Sequence, residues 1–188
     1  PQVLNLLKKV GEVGLSSSLI LPDHGPIWRK NPEKIIGLYE KWARQEPTKK
    51  AVVIYDTMWG STDLMARAIG EGLTAGGAKA VLLPLSKTER SEAATEILAA
   101  GALLAGSPTM NNQVFPTLGD VLTYLKGLKP KNLIGAAFGS YGWSGEAVKI
   151  LEENLTEMKV ELIAEGLKVK YVPDADNLAA CRRLGQNI

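Results

Sequence analysis

The sequence predicts an α/β domain, a five-stranded parallel sheet with helices on both faces, preceded by an N-terminal segment and a linker helix. Three observations carry this. Beyond residue 50, apolar runs alternate five times with segments of helical spacing, the pattern of repeated strand-helix units. The runs are continuous in Val, Ile, Leu and Ala rather than alternating with polar residues, as in strands covered on both faces. Three of the run-to-helix junctions are rich in Gly, Ser, Thr and Asn, the residues of turns and of close backbone approach to a ligand.

The first strand, 51–55, is followed by a helix over 61–75 whose end is marked by Gly76-Gly77. Strand 79–84 leads to helix 90–99, strand 101–106 to helix 114–126, and strand 132–138 to helix 144–156. The last strand region, 159–171, is interrupted by Glu165-Gly166, which predicts a bulge or a broken edge strand, and helix 174–184 follows it. Upstream, apolar spacing places a helix over 2–10, ended by Gly11 and Gly14, and Ser18-Leu19-Ile20-Leu21 reads as a short strand. Residues 32–46 suit a helix, with Pro32 in the first turn and Ile35, Ile36, Leu38, Tyr39 and Trp42 on one stripe. Pro47-Thr48-Lys49-Lys50 breaks that helix and divides the chain into 1–47 and 48–188. The first segment opens at Pro1 and reads as the middle of something, so a fragment is expected.

At 188 residues there is room for one well-buried domain and an appendage. A composition 45% hydrophobic and 22% charged is ordinary for a soluble globular protein, and no apolar run nears the roughly 18 residues of a membrane span. No signal-peptide pattern opens the chain. The single cysteine, Cys181, allows no internal disulfide, which fits a reducing cytoplasm. The net charge of +2 is unevenly spread, with nine Lys/Arg against five Asp/Glu in 1–50 and thirteen against fifteen beyond. No basic cluster interleaved with aromatics occurs, so nucleic-acid binding finds no support.

In an open parallel sheet, ligands bind beyond the C-terminal ends of the strands where the winding reverses. Tyr55-Asp56-Thr57-Met58-Trp59-Gly60-Ser61-Thr62 follows the first strand. Thr57, Ser61 and Thr62 offer hydroxyls, Gly60 lets the backbone approach, and the first N–H groups of the next helix point at the same spot, a cradle for a monophosphate. Gly106-Ser107-Pro108-Thr109-Met110-Asn111-Asn112 follows the third strand and Phe138-Gly139-Ser140-Tyr141-Gly142-Trp143-Ser144-Gly145 the fourth. Their amides, backbone groups and the aromatics Tyr141 and Trp143 suit a flat, amphipathic ring. Residues 57–62, 107–112 and 140–145 are therefore the cofactor-binding candidates, and phosphate plus ring reads as flavin mononucleotide, FMN.

Other readings are weaker or remain open. Without G-x-x-x-x-G-K-[ST] a nucleoside triphosphatase is disfavoured, and without G-x-G-x-x-G after the first strand the dinucleotide fingerprint is missing. Asp56 admits a phospho-receiver domain, but the adjacent acidic pair that would hold its metal ion is lacking. The turns also serve any parallel α/β domain as plain structure, with Met58 and Trp59 packing and Tyr55 or Asp56 closing the strand. His24, the only histidine, lies in Pro22-Asp23-His24-Gly25-Pro26-Ile27-Trp28, either as a metal ligand on a rigid turn or as a structural loop residue.

Taken together, the three loops resemble the C-terminal flavodoxin-like domain of the flavodiiron proteins, or A-type flavoproteins, and the resemblance spans nearly all of the chain. It implies an FMN-binding electron-transfer domain preceded by a metallo-β-lactamase-like domain, of which 1–47 would be the C-terminal remnant with the linker helix. It also implies that electrons pass from FMN to a non-haem di-iron centre, which reduces dioxygen to water or nitric oxide to nitrous oxide. His24 matches the position of the family's last iron-binding histidine. A redox donor such as rubredoxin or a reduced deazaflavin, and a head-to-tail homodimer of the full-length protein, follow from the same resemblance. The family's His-x-Glu-x-Asp motif and other iron ligands are not in this sequence, so this chain alone would transfer electrons only. A stand-alone flavodoxin-like carrier or a flavin-dependent quinone reductase is the alternative, needing the same cradle and no iron.

Overall fold

Helical spacing and two positive-φ caps account for the first part of the computed structural model, which describes residues 2–14 and 16–188. The chain divides into two compact units, Pro1–Glu46 and Pro47–Ile188. In the first, α1 (Gln2–Glu12) and α2 (Pro32–Arg44) pack on each other. Asn31 (φ 52°) precedes α2 and Gln45 (φ 49°) ends it in left-handed conformations, with Pro32 at the first turn where its missing N–H is harmless. The strand expected at 18–21 does not form. Only Ile20 pairs, antiparallel with Trp28, through bonds of 3.1 and 3.0 Å, because Pro22 and Pro26 supply no N–H to extend a ladder.

The second unit is built on β1 (Lys50–Tyr55), β2 (Lys79–Pro84), β3 (Ala102–Gly106), β4 (Ile134–Tyr141), β5 (Glu161–Leu162) and β6 (Leu167–Lys170), all parallel. Between them run α3 (Ser61–Ala75), α4 (Arg90–Ile97), α5 (Pro116–Leu128) and α6 (Glu146–Glu157), with α7 (Ala175–Gln186) last. The order is β2-β1-β3-β4-β5, with β6 also on β4, which is the doubly wound flavodoxin-like order. The winding reverses between β1 and β3, so the crevice opens at their C-terminal ends. Strand residues alternate between two cores. Val52, Ile54, Leu103 and Ala105 pack under α4, α5 and α6, while Val53, Tyr55, Leu104 and Phe138 pack under α3 and α7. Each fully buried Leu, Ile or Phe contributes about 1.5–3 kcal/mol relative to exposure.

Two differences from the sequence reading bear on the site. The fifth strand position is filled by two pieces: β5 pairs with Ile134 and Gly135, β6 with Phe138 to Tyr141, and after the Ile163 N–H bond to the Gly135 carbonyl residues 164–166 leave the ladder between them. There Gly166 donates its N–H to Glu152 at 2.7 Å, and a Cβ on it would lie 2.2 Å from Val148. β4 also runs three residues past the predicted 138, because β6 supplies partners for Gly139, Ser140 and Tyr141. Part of the expected third loop is thus strand. Among the described residues no helix is long and apolar enough to cross a membrane.

The tightest helix contact joins α3 and α7 through glycine. A Cβ on Gly72 would sit 2.1 Å from the Arg182 carbonyl oxygen, and one on Gly185 2.2 Å from that of Ile69. Backbone therefore meets backbone, with the exposed Arg182–Glu71 pair at 2.7 Å adding little at the rim. Gly72→Ala should destabilise the fold by about 1–3 kcal/mol through overpacking, read as a lower midpoint in urea unfolding. An unchanged midpoint would contradict this packing.

Candidate functional site

The first loop is held from beneath. Asp56, 4% exposed, accepts the Thr57 N–H on Oδ1 at 2.7 Å and the Thr117 hydroxyl of α5 on Oδ2 at 2.7 Å. With both oxygens engaged it is an anchor of the turn, not an open phosphoacceptor. Thr57 accepts the Gly60 N–H on its hydroxyl oxygen at 3.0 Å, leaving its O–H free to donate. Gly60 has φ 88°, and no side chain caps the helix that follows. By contrast, Asp174 caps α7 by accepting the Asn177 N–H at 2.8 Å. The first N–H groups of α3 are left for an anion.

Thr62 and Ser107 turn inward. Thr62 is fully buried, its hydroxyl 2.9 Å from that of Ser140 on β4, a bond that ties the first loop to the third. Ser107, also fully buried, accepts the Phe115 N–H and donates to the Pro108 carbonyl, both at 2.8 Å. Beyond it Met110 and Gln113 exchange backbone bonds of 3.0 and 2.9 Å across Asn111 (φ 49°) and Asn112 (φ 58°). Both central residues are left-handed, the pattern of a type I′ turn, which Asn tolerates better than other side chains. The second loop is knit to the third by the Thr109 N–H on the Ser140 carbonyl at 2.9 Å and by the Ser144 hydroxyl on Asn112 Oδ1 at 3.3 Å.

Between the three loops lies a cavity of about 620 Å³. It is lined by Met58, Trp59 and Ser61, by Pro108, Thr109, Met110, Asn111 and Asn112, by Ser140, Tyr141, Gly142, Trp143 and Ser144, and by Tyr171. Its size suits a small-molecule ligand. Trp59 and Trp143 are 88% and 90% exposed, so both indoles are free to cover a ring. Of the sequence candidates, Thr57, Gly60, Thr62, Ser107 and Gly145 are not in the lining: Thr62 and Ser107 form the frame behind it, Thr57 and Gly60 make the turn that leads into α3, with the Thr57 O–H still free to donate, and Gly145 precedes α6. The sequence reading does not name Tyr171; its place at the end of the last strand, on the same rim as the other three loops, is the signal that was available. His24 is exposed in the first unit, and among the described residues no group of three or more His, Cys, Asp or Glu could hold a metal ion.

Charge at the helix start is also managed. The Tyr55 hydroxyl donates to Asp63 Oδ1 at 2.6 Å, and Arg67 Nε to Oδ2 at 2.7 Å. Burial opposes ionisation of Asp63, but the bonds from Arg67 and Tyr55 prevail and hold its carboxyl below the ordinary value. Burial, then the bond to Asp63, pushes the Tyr55 phenol well above its ordinary range.

Comparison with known proteins gives a family match and extended relatives. The flavodoxin family model matches residues 53–185. A nitric oxide reductase of Moorella thermoacetica is 48% identical over 183 residues, covering 97% of this chain and 46% of that one. A coenzyme F420H2 oxidase of Methanothermobacter marburgensis is 39% identical over 191 residues, covering 99% and 47%. The solved structure of rubredoxin oxygen:oxidoreductase from Desulfovibrio gigas superposes with a TM-score of 0.93 at 39% identity, covering 99% and 47%. The chain thus spans about half the length of the relatives it matches.

The Tyr55-Asp63-Arg67 cluster makes stability depend on pH at both ends. A depressed Asp63 pKa means the folded state binds fewer protons, so its contribution is present above the ordinary 3.8 and is lost as pH falls through the lower folded value. A raised Tyr55 pKa contributes below the ordinary 10.0 and is lost as pH rises above it. Melting temperature should fall at both extremes, and Asp63→Asn should flatten the acid limb. An acid limb unchanged in that variant would assign it to other carboxylates.

Proposed function

The chain belongs to the flavodoxin family, and from that membership we propose that residues 48–188 are the FMN-binding electron-transfer domain of a flavodiiron-type oxidoreductase. The observation that carries this is the cavity at the switch point, where an uncapped helix N-terminus with hydroxyls adjoins a space flanked by free aromatics. Those two halves fit a phosphate joined to a flat ring. FMN, when bound, takes up and releases electrons one or two at a time. Thr57, Ser61 and the first N–H groups of α3 hold the phosphate end. Trp59, Tyr141 and Trp143 flank the ring and exclude water from it, while Asn111, Asn112 and the backbone of 140–144 meet its polar edge.

The wider reading extends beyond this chain. In it, electrons would come from a donor such as rubredoxin or a reduced deazaflavin, and reduction of dioxygen or nitric oxide would belong to a di-iron centre held elsewhere in a cytoplasmic, head-to-tail homodimeric protein. The names of the relatives support the donors and acceptors. The first unit is then the end of a metallo-β-lactamase-like domain with α2 as linker, and His24 an iron ligand. α1 supports this: it is amphipathic yet has no buried residue, with Val3 and Leu6 exposed, as for a helix whose packing surface lies elsewhere in the protein. The described residues do not by themselves fit a di-iron centre, so no step through iron belongs to this chain.

Purified protein should take up FMN stoichiometrically and turn yellow; a colourless protein that binds no FMN sinks the reading. Thr57→Ala with Ser61→Ala should weaken FMN binding at least tenfold, since each hydrogen bond to a charged acceptor is worth about 1.5–3 kcal/mol. Riboflavin, which has no phosphate, should bind the double variant as it binds wild type. Unchanged FMN affinity would place the phosphate elsewhere.

A further inference from the structure

The last strand is followed by a residue whose backbone is costly and whose side chain no fold requirement explains. Tyr171 has φ 62°, a conformation that bulky residues rarely adopt. Eight non-glycine residues among those described have positive φ; four are Asn, and Gln45, Lys129 and Lys159 each end a helix, which leaves Tyr171 as the one with neither excuse. Its N–H donates to the Tyr141 carbonyl at 2.8 Å, a backbone bond that Gly or Asn would make at less strain. Packing does not demand the ring either, since Tyr171 is 62% exposed.

What the backbone does accomplish is placement. The ring lines the cavity beside Gly142, where a Cβ would lie 3.9 Å from it, and the Lys170 ammonium sits 5.1 Å from its centroid. Observed strain of this kind is a pointer to function. We propose that Tyr171 is a ring-binding residue, a fourth wall supplied by the last strand, whose aromatic face packs against the planar heterocycle held by the other three loops. The inference rests on the flavin reading of the cavity. It adds a contact with the ring only, and none with the phosphate, because Tyr171 follows β6 whereas the uncapped helix start follows β1.

The test is a fluorescence titration of the full chain with FMN and, separately, with riboflavin. Tyr171→Gly keeps the positive φ without strain and removes the ring. It should weaken both ligands by a similar factor, about tenfold, and leave the bound flavin brighter because an adjacent aromatic quencher is gone. Tyr171→Phe should stay within about twofold of wild type. Melting temperature should not fall in Tyr171→Gly, since strain is relieved; should that variant fail to fold, Tyr171→Asn, which also tolerates this backbone, replaces it. Wild-type affinity and brightness in the Gly variant would overturn the inference, as would an equal loss in the Phe variant, which would assign the effect to the hydroxyl. A wild-type chain that binds neither flavin would overturn the flavin reading and this inference with it.

Discussion

One buried hydrogen bond organises the rim: Thr62 Oγ1 to Ser140 Oγ at 2.9 Å, between the first turn of α3 and the end of β4. These residues lie 78 positions apart, on a helix start and a strand end that a parallel sheet brings to the same edge but does not otherwise join. Thr62 is fully buried and its hydroxyl has no route to water, so losing the bond would strand that polar group at a cost of about 1–3 kcal/mol. The bond therefore selects one relative placement of the two. Asp56 with Thr117, at 2.7 Å and partly buried, ties the first loop to α5, while the exposed 3.3 Å contact of Ser144 with Asn112 adds a weaker link between the third loop and the second.

The site thus separates into a frame and a face. Asp56, Thr62 and Ser107 use their polar atoms on the protein itself, whereas Ser61, Asn111, Asn112 and the two tryptophans are turned to the cavity. Such a division suits ligand binding, because polar groups facing the ligand are held in place before it arrives and little ordering remains to be done on binding. Uncapped N–H groups at α3 belong to the face as well. They stay unpaired because the turn that precedes them spends its own side chains inward, and because Gly60 has no side chain to offer.

Much of this was legible in the residues. The continuous apolar runs marked the covered strands, the Gly- and hydroxyl-rich junctions marked the rim, and Glu165-Gly166 marked the break that separates β5 from β6. Loop wording such as Thr57-Met58-Trp59-Gly60-Ser61-Thr62 carried the family resemblance, which the flavodoxin match supports. The expected strand at 18–21 failed because apolar character without available N–H donors cannot extend a ladder. The length of β4 was missed because Gly139-Ser140-Tyr141 reads as turn composition, and only β6 lying alongside makes it strand.

From the chain of residues alone came what local chemistry decides: which segments are strands or helices, where glycine is needed, and which junctions hold hydroxyls and amides. Only the tertiary structure decided which of those hydroxyls face a ligand. Thr57, Ser61 and Thr62 all carry hydroxyls, yet Ser61 lines the cavity, Thr62 bonds Ser140, and Thr57 accepts the Gly60 N–H while keeping its O–H free to donate. Tyr171 enters the site from a strand whose register was invisible without its neighbour β4. The reason is physical: a side chain's direction at a strand end depends on pairing and on partners distant in sequence, and neither is written in its local neighbourhood.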